Sequence, residues 1–324
     1  MLRVSRAEAV NYRLAVNNLS RRLPAGSYVE AAYVGLQDTA PRDALLGMHA
    51  RVAGCEPSSW EHPRLIQTYS PRAAVYVLPR DDFGVFTVGR LPRDPAARKS
   101  LEDRAERACE ILAGQPQPAR GLPAQDRAVC ATGRIAVRWT TSSLHVWECP
   151  RPPVDPEAAR LELCRRYVHA FGPTTPAAFA WWAGVPPRDA KHSFDVLAPE
   201  LLAVDYDGHQ AWILAADEAA LVSAGPMHGV RFLVTSDLRI FGQDRTGLFT
   251  GPGMGQHHSA LRDTFHPNGL VIDGTIAGAW GRRAGRVSVR VSGPLTEAVR
   301  RTIRQEAESM PIPGATVTMS LTEY

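Results

Sequence analysis

Lysine is scarce in this chain: Lys99 and Lys191 are the only two, and every other member of the 37 Lys and Arg residues is arginine. A mechanism that passes through an imine needs an amine, so only these two side chains and the N-terminus are available to it. Arginine instead makes bidentate contacts with phosphates and base edges. A GC-rich genome also favours arginine codons, and that origin explains the bias without any nucleic-acid partner.

Long apolar runs and paired cysteines are absent as well. No stretch of the sequence reaches the roughly 18 consecutive apolar residues that a membrane-spanning helix needs. The cysteines are odd in number and widely scattered, without a CxxC pair: Cys55, Cys109, Cys130, Cys149 and Cys164. We therefore expect no membrane partner and no disulfide framework, as in a cytoplasmic protein with reduced thiols.

Signatures of metal and nucleotide sites are weak. His257, His258 and His266 have no Cys or Glu partner at the spacing of a zinc finger. The segment 251–255 is rich in glycine but lacks the lysine of a phosphate-binding loop. We therefore expect no metal and no cofactor.

The composition is that of an ordinary globular protein. With 324 residues, of which 44% are hydrophobic and 22% charged, the chain can bury a core and form several compact modules. Its formal net charge is +4. This mild excess of positive charge favours nucleic acid only if the arginines share one face of the fold.

One arrangement occurs three times along the chain: a helical stretch followed by two β-prone runs around a polar turn. The paired runs cover Leu65–Pro79, Ile135–Pro150 and Leu201–Ala215, with turns near Pro71, Ser142 and Gly208. Their spacing of about 65 to 70 residues is long for a solenoid repeat and short for an independent domain. Helices followed by a β-hairpin are typical of a winged helix, and three winged helices in series favour a surface that follows nucleic acid.

Helix-start signals separate these modules. Asp94-Pro95 and Asp155-Pro156 each place an N-cap before an N1 proline, and Ser5 with Glu8 forms a capping box. Beyond residue 217 the pattern changes to short strands, a helix at 295–309 and a last strand near 315–322. We predict an α+β fold with three tandem winged helix-turn-helix modules at 1–92, 93–153 and 154–216, followed by a C-terminal β-rich module at 217–324.

A polar segment stands between a helical run and the start of the next helix. Gln37, Asp38 and Thr39 precede Pro41, which suits the first position of a helix. Unpaired backbone N–H groups and the helix dipole can hold an anion or a water at such a place. Asp and Thr are also ordinary N-cap residues, so the segment equally fits simple capping with Gln37 in solvent.

Four ordered blocks of the chain are similar to those of a known protein family. They are GLQDTAPRDALLGMHARV at 35–52, RAAVYVLPRDD beginning at Arg72, RRYVHAFGPTTPAAFAWWAGV at 165–185 and LVIDGTIAGAWGRR at 270–283. On these blocks the chain resembles the AlkZ/YcaQ-like winged-helix DNA glycosylases over nearly its whole length. The last two blocks are the most specific.

The resemblance implies a tandem winged-helix scaffold with a basic concave surface for duplex DNA, and hydrolysis of the glycosidic bond of alkylated or crosslinked purines. The family's catalytic motif is Gln, an apolar residue, then Gln or Asp. Gln37 matches the first position, whereas Asp38 stands at the usual apolar position and Thr39 at the third. The family also places an arginine at Arg72, and the His that often follows four residues later is Tyr76 here. We take Gln37, Asp38 and Thr39 as the catalytic candidates.

The chemistry of such a reaction needs few groups. A purine alkylated at N7 or N3 is already cationic, so it leaves with little protonation by the protein. What remains is to position a water and to stabilise an oxocarbenium-like sugar, which the Gln37 amide and the Asp38 carboxylate can share. Adjacent residues of a regular helix or strand face different ways, so both reach one sugar only if the backbone at 37–39 is irregular. The scarcity of lysine predicts a monofunctional enzyme that leaves an abasic site.

Basic residues in every module are candidates for contact with DNA phosphates. They are Arg42, Arg51, Arg72, Arg127, Arg134, Arg138, Arg188, Lys191, Arg282 and Arg283. Trp181 and Trp182 can stack on bases, but at least one of the two must lie in the core.

These observations predict a monomeric, cytoplasmic and nucleoid-associated protein that binds double-stranded DNA and removes alkylated purines, including bulky adducts made by genotoxic natural products. A non-catalytic DNA-binding regulator or lesion sensor of the same fold is the alternative. A protein-interaction scaffold is a third class. Salt-dependent binding to duplex DNA and release of an alkylated base separate the three.

Overall fold

The computed structural model describes residues 1–38, 42–119, 126–139, 143–242 and 268–323, and these residues form two compact units. The first unit consists of Met1–Val4, Ala32–Ala44 and Trp60–Glu218, and the second of Ser5–Ala31, Leu45–Ser59 and Ala219–Tyr324. The chain leaves the first unit for the last time after Glu218, close to the boundary predicted at residue 217. The division into four modules stays a prediction.

The helices that follow Ser5, Asp94 and Asp155 begin where caps and prolines predict them, whereas the helix expected to open at Pro41 begins at Asp43. They are α1 (Arg6–Val16), α2 (Tyr28–Ala31), α3 (Asp43–Arg51), α4 (Phe83–Phe86), α5 (Pro95–Leu112), α6 (Pro156–Phe171), α7 (Pro176–Ala183), α8 (Pro187–Val196), α9 (Glu218–Ser223) and α10 (Glu297–Glu308). The carboxylates of Asp94 and Asp155 accept first-turn N–H groups of α5 and α6 at 2.8 and 2.9 Å. Ser5 and Glu8 form the predicted capping box of α1. No helix among the described residues has the length and apolar character needed to cross a membrane.

The strands are short, and most belong to hairpins. They are β1 (Leu2–Val4), β2 (Leu36–Gln37), β3 (Leu65–Tyr69), β4 (Val75–Pro79), β5 (Gln117–Pro118), β6 (Ile135–Trp139), β7 (Leu144–Glu148), β8 (Leu201–Tyr206), β9 (His209–Leu214), β10 (Val230–Leu233), β11 (Asn268–Ile272), β12 (Thr275–Arg283), β13 (Arg286–Val291) and β14 (Thr318–Glu323). Together with the helices they make the mixed α+β fold that the sequence predicts.

Each three-stranded sheet of the first unit contains one of the predicted hairpins. The strand orders are β2-β4-β3, β5-β7-β6 and β1-β8-β9. The pairs β3–β4, β6–β7 and β8–β9 are antiparallel and lie at the three predicted places. β1 joins the third sheet in parallel, with Leu2 opposite Val204. The third hairpin follows α6, α7 and α8, which is the element order of a winged helix, and three winged-helix modules remain our interpretation.

An aromatic cluster fills part of the core of the first unit. The ring centroid of Tyr167 on α6 lies 5.4 Å from that of Phe179 and 5.0 Å from that of Trp182, both on α7. Burial of a side chain of this size contributes about 1.5 to 3 kcal/mol. Trp182 is 2% exposed, whereas its neighbour Trp181 is 53% exposed. One of the two tryptophans is therefore core, as predicted, and the other reaches the surface.

The second unit is built around one five-stranded sheet in the order β10-β11-β12-β13-β14. The helix α10 buries Ile303 and Ala307 in the same core as the strand residues Phe232 and Trp280. The Trp280 indole N–H donates to the carbonyl of Leu233 at 3.2 Å and to that of Gly269 at 3.1 Å. This bond pattern satisfies a polar group that would otherwise be buried without a partner.

Candidate functional site

Gln37 ends the edge strand β2, where its side chain is half-buried and held by two donors. The strand pairs with β4, which places Gln37 opposite Tyr76. The Gln37 Oε1 atom accepts a hydrogen bond from Arg72 Nη2 and another from the Tyr76 hydroxyl, each at 3.2 Å. Two donors on one carbonyl oxygen fix the plane of the amide. Gln37 thus contacts both Arg72 and Tyr76, the residue that stands where the family often has a histidine.

Arg72 lies in the turn of the β3–β4 hairpin, in a backbone conformation that arginine rarely adopts. Its φ is 55°, and that of Ala73 is 54°. Its guanidinium lies over the ring of Trp181, 4.5 Å from the centroid, which is a cation–π contact. Gly184 passes so close that a Cβ there would lie 3.3 Å from the Arg72 backbone nitrogen. The turn is therefore set by its surroundings, and it directs the arginine onto Gln37.

A pocket of about 360 Å³ opens beside this contact, entirely within the first unit. Its walls combine two guanidinium groups, two aromatic rings and small apolar side chains. The lining residues are Gln37, Tyr69, Arg72, Ala73, Ala74, Val75, Arg127, Trp139 and Leu144. The first two hairpins therefore both contribute to the pocket, together with the segment that carries Gln37.

Arg127 reaches the pocket from the start of a 3-10 helical segment, Arg127–Thr132. Its guanidinium lies over the ring of Tyr69, 5.0 Å from the centroid, and donates to the carbonyl of Ala73 at 3.3 Å. Both partners belong to the first hairpin. Tyr69 and Trp139 were not among the sequence candidates. Their only signal was an aromatic residue at the turn end of a β-prone run.

Asp38 turns away from this pocket and is buried. Its carboxylate accepts a hydrogen bond from the backbone N–H of Ala44 at 3.1 Å and from Gln67 Nε2 at 2.9 Å. The residue has no exposed surface and is not part of the pocket lining. Gln37 and Asp38 therefore face different ways, as neighbours in a strand do. The irregular backbone that would bring both to one sugar is not seen at 37–38, and Thr39 lies outside the described residues.

Burial dominates the electrostatics of Asp38. It raises the pKa of this carboxyl from 3.8 to about 6, although the hydrogen bonds from Ala44 and Gln67 and the charge of Arg42 lower it. Arg42 Nη1 lies 3.7 Å from the carboxylate. The carboxyl is thus neutral in mildly acidic solution and ionised above about pH 6. Its contact with the first turn of α3 resembles the capping role that the sequence left open.

Gln67 connects Asp38 to the second hairpin, and sequence reasoning did not find it. Its amide donates to Asp38 from Nε2, while its Oε1 accepts the backbone N–H of Trp139 at 2.8 Å. Gln67 lies in the middle of β3 and is buried. A buried amide within an apolar strand must find partners for both of its ends, and that was the available signal.

Two of the remaining arginine candidates flank one tryptophan close to the pocket wall. The guanidinium of Arg42 lies 3.9 Å from the centroid of Trp60, and that of Arg138 lies 5.0 Å from the same ring. Arg42 also donates to the carbonyl of Trp139 at 3.3 Å. Arg138 forms an ion pair with Glu61. These two cations lie in the same unit as Gln37.

Other candidates are paired with carboxylates. Arg134 pairs with Glu106 and Glu148, Arg188 with Asp94 and Asp189, and Lys191 with Asp195. An exposed pair such as Lys191 with Asp195 contributes little to stability and can exchange partners. Arg282 and Arg283 end β12 in the second unit, where Arg283 is exposed opposite Arg286.

Arg51 is the candidate that the structure places in the interior of the second unit. Its side chain is 4% exposed, and its guanidinium donates to both carboxylate oxygens of Asp237, at 2.8 and 2.9 Å. A buried bidentate pair of this kind holds both charges in place. A contact between Arg51 and phosphate stays a prediction, and it would require the guanidinium to leave the Asp237 carboxylate.

Comparison with known proteins assigns the family. A family model for DNA glycosylase AlkZ-like proteins matches residues 124–311, which is more than half of the chain. The chain belongs to the AlkZ-like DNA glycosylase family. The solved structure of the DNA glycosylase AlkZ from Streptomyces sahachiroi is similar, with a TM-score of 0.76 and 16% identity, over 99% of this chain and 100% of that one. No curated protein matches the sequence.

Membership of the AlkZ-like family confirms the resemblance read from the four sequence blocks, and the likeness to the Streptomyces protein shows a common fold. Among the described residues, no group of three or more His, Cys, Asp or Glu side chains is placed to hold a metal ion. His257, His258 and His266 lie outside these residues. Among the described residues, the polar side chains in the pocket wall include the Gln37 amide, the Tyr69 phenol and the guanidiniums of Arg72 and Arg127.

Proposed function

We propose that this protein is a monofunctional DNA glycosylase that hydrolyses the N-glycosidic bond of an alkylated purine in duplex DNA. One observation carries the proposal: the Gln37 amide lies in the wall of a pocket and is held in place by Arg72 and Tyr76. A fixed amide beside two cations suits a substrate that has a phosphate backbone and needs a positioned water.

The proposed reaction asks little of the protein. An N7- or N3-alkylated purine carries a positive charge, so the glycosidic bond breaks with the base leaving as a neutral molecule. The sugar becomes an oxocarbenium-like cation, which a water attacks at C1′, and the proton that this water loses passes to the surrounding solvent. The Gln37 amide, with its plane fixed by two hydrogen bonds, orients that water and the sugar during the step.

Asp38 acts in this proposal as a positioning residue. Its carboxylate contacts Ala44 and Gln67 and does not line the pocket, so it is badly placed to take a proton from the attacking water. Through Gln67 it instead supports the strand segment that ends at Trp139. Water that approaches an oxocarbenium ion needs little activation, so a single amide is sufficient.

The two lysines support hydrolysis by water rather than attack by an amine. Lys99 forms an ion pair with Asp103 on α5, and Lys191 with Asp195 on α8. Both side chains are exposed, and neither lines the pocket. We therefore expect an abasic site as the product, and no covalent adduct with DNA after treatment with borohydride.

The experiment is single-turnover release of 7-methylguanine from a duplex that carries one such base. The wild-type chain is expected to release the base, and Gln37→Ala to reduce the rate by about 100-fold or more while still binding the duplex. Gln210→Ala, which alters an exposed glutamine of β9, is the matched control and is expected to keep the rate. Bulkier N7 adducts in the same duplex measure the preference for lesion size.

Three results separate this function from its rivals. Equal rates for Gln37→Ala and the wild type would overturn the role of the amide. Salt-dependent duplex binding without release from any alkylated duplex would favour a DNA-binding regulator or lesion sensor. Absence of duplex binding at low salt would leave a protein-interaction scaffold.

A further inference from the structure

Among the residues that the structure describes, the lining of the pocket at Gln37 carries two positive charges and no negative one. Arg72 and Arg127 are the charged residues of its lining, and the other lining side chains are neutral. Like charges that share a small pocket repel each other, so an anion placed between them stabilises the arrangement. An alkylated base is itself cationic and would be repelled by the same two groups. The charge of the pocket therefore suits a phosphate better than the base that leaves.

Arg127 is held by the protein without being neutralised. Its guanidinium contacts the ring of Tyr69 and the carbonyl of Ala73, both of them uncharged. Within the described ranges, this arginine forms no ion pair with a carboxylate, in contrast to Arg134 and Arg138 nearby in the sequence. A guanidinium that is oriented but uncompensated is ready to bind an oxyanion in a bidentate manner.

We propose that the pocket is a phosphate site, in which Arg127 and Arg72 bind the phosphate next to the sugar whose base is released. This inference rests on the proposed function, because the phosphate belongs to the target nucleotide of DNA. Arg72 contacts Gln37 directly, so a phosphate on Arg72 links backbone binding to the position of the amide. The rings of Tyr69 and Trp139 give the pocket flat walls against which the deoxyribose can pack.

The test is a double-mutant cycle that combines a substitution of Arg127 with the neutralisation of one DNA phosphate. Duplexes carry a single 7-methylguanine and a neutral methylphosphonate at one of the six nearest phosphates of that strand, moved one position at a time. Binding by the full chain is measured by fluorescence anisotropy for the wild type and for Arg127→Gln. Glutamine removes the charge and keeps a donor for the Ala73 carbonyl.

We expect one position adjacent to the lesion where the methylphosphonate weakens wild-type binding by about 10-fold and weakens Arg127→Gln by much less, because only Arg72 still contacts that phosphate in the variant. Arg127→Gln is expected to lower the slope of log affinity against log salt by about one. Arg127→Lys keeps the charge, so it should retain most of the response at that position. Arg98→Leu, which removes an arginine paired with Glu102 on α5, is the control and should leave every position unchanged.

The proposal is overturned if the losses from Arg127→Gln and from the methylphosphonate multiply at every position, because the two groups then do not contact each other. It is also overturned if the affinity lost in Arg127→Gln is the same with every methylphosphonate but changes when the methylated purine is replaced by an unmethylated one. The cycle uses binding alone, so an absence of base release would refute the glycosylase and leave this result readable. Base release together with independent losses would refute only the phosphate site.

Discussion

The first and third hairpins of the first unit turn in different ways. β8–β9 closes through Asp207 and Gly208, whose φ values are 52° and 82°. Asp-Gly is a preferred pair for a two-residue turn with positive φ at both positions. β3–β4 closes through a longer turn in which Arg72 and Ala73 have φ values of 55° and 54°. Neither residue is of a kind that favours this conformation.

Only the first hairpin has positive φ at residues that disfavour it, since the third uses an Asp-Gly pair. A left-handed arginine and a left-handed alanine cost about 1 kcal/mol each, and such strain persists only where the surroundings impose it. Here the hydroxyl of Ser70 donates to the carbonyl of Phe86 at 2.8 Å, and the Ser70 backbone N–H donates to Ala74 at 3.0 Å. The strained hairpin carries the proposed site, whereas no described residue of the relaxed one lines the pocket.

The largest expected effect concerns the buried acid beside the first hairpin. The pKa of Asp38 is raised to about 6 in the folded protein, from 3.8. The neutral form is thus favoured by folding, so this contribution is complete below about pH 4 and is lost as pH rises through 6. The loss amounts to about 3 kcal/mol. Urea unfolding at pH 4, 5, 6 and 7 should show this decline in the wild type and not in Asp38→Asn. Parallel profiles for the two proteins would contradict the assignment.

A second test removes the side chain that the strained turn presents. Arg72→Ala loses the hydrogen bond to Gln37 and the contact with Trp181, so the amide is no longer oriented. We expect the single-turnover rate of base release to fall by about 100-fold, with a smaller change in duplex affinity. Asp207→Ala makes the matched change in the third hairpin and should leave the rate intact. A similar rate loss in both variants would remove the distinction between the hairpins.

The third prediction concerns stability of the relaxed hairpin. Gly208 has a φ of 82°, which a residue with a Cβ adopts at a cost. Gly208→Ala is expected to lower the free energy of unfolding by about 1 kcal/mol while base release is unchanged. Thermal unfolding and the release assay measure the two quantities. If Gly208→Ala unfolds with the same free energy as the wild type, the turn tolerates a Cβ at this position.

The smallest expected effect is a gain in the free energy of unfolding, in the first hairpin. Ala73→Gly relieves a left-handed alanine, so it should raise the free energy of unfolding by about 0.5 kcal/mol. The same change loosens the turn that directs Arg72 at Gln37, so base release should slow by a few-fold. Higher stability with a lower rate would show that the strain serves the site. An increase in both would show that it does not.

The sequence was sufficient for many of the elements and for three of the residues that line the pocket, Gln37, Arg72 and Arg127. The Asp-Pro pairs predicted the starts of α5 and α6, and the alternation of β-prone runs with polar turns predicted the three hairpins. Gln37 was found because it matches a family motif, and it does line a pocket. These features depend on neighbouring residues, which the sequence displays directly.

The features that sequence reasoning missed depend on distant residues. The direction of Asp38 follows from Gln67 on another strand, and the burial of Arg51 follows from Asp237. Tyr69, Trp139 and Arg127 meet only because two hairpins and a 3-10 segment converge on one pocket. No spacing along the chain encodes such contacts, so a list of basic residues could not separate the buried Arg51 from the exposed Arg127.

The parallel pairing of β1 with β8 has a consequence for how the protein is made. During synthesis, Leu2–Val4 must wait for a segment about 200 residues later before this strand has a partner. The third sheet is thus incomplete until β8 has been made. A folding helper or a tag that engages Leu2–Val4 would compete with the closing step of that sheet, even though it never approaches Gln37.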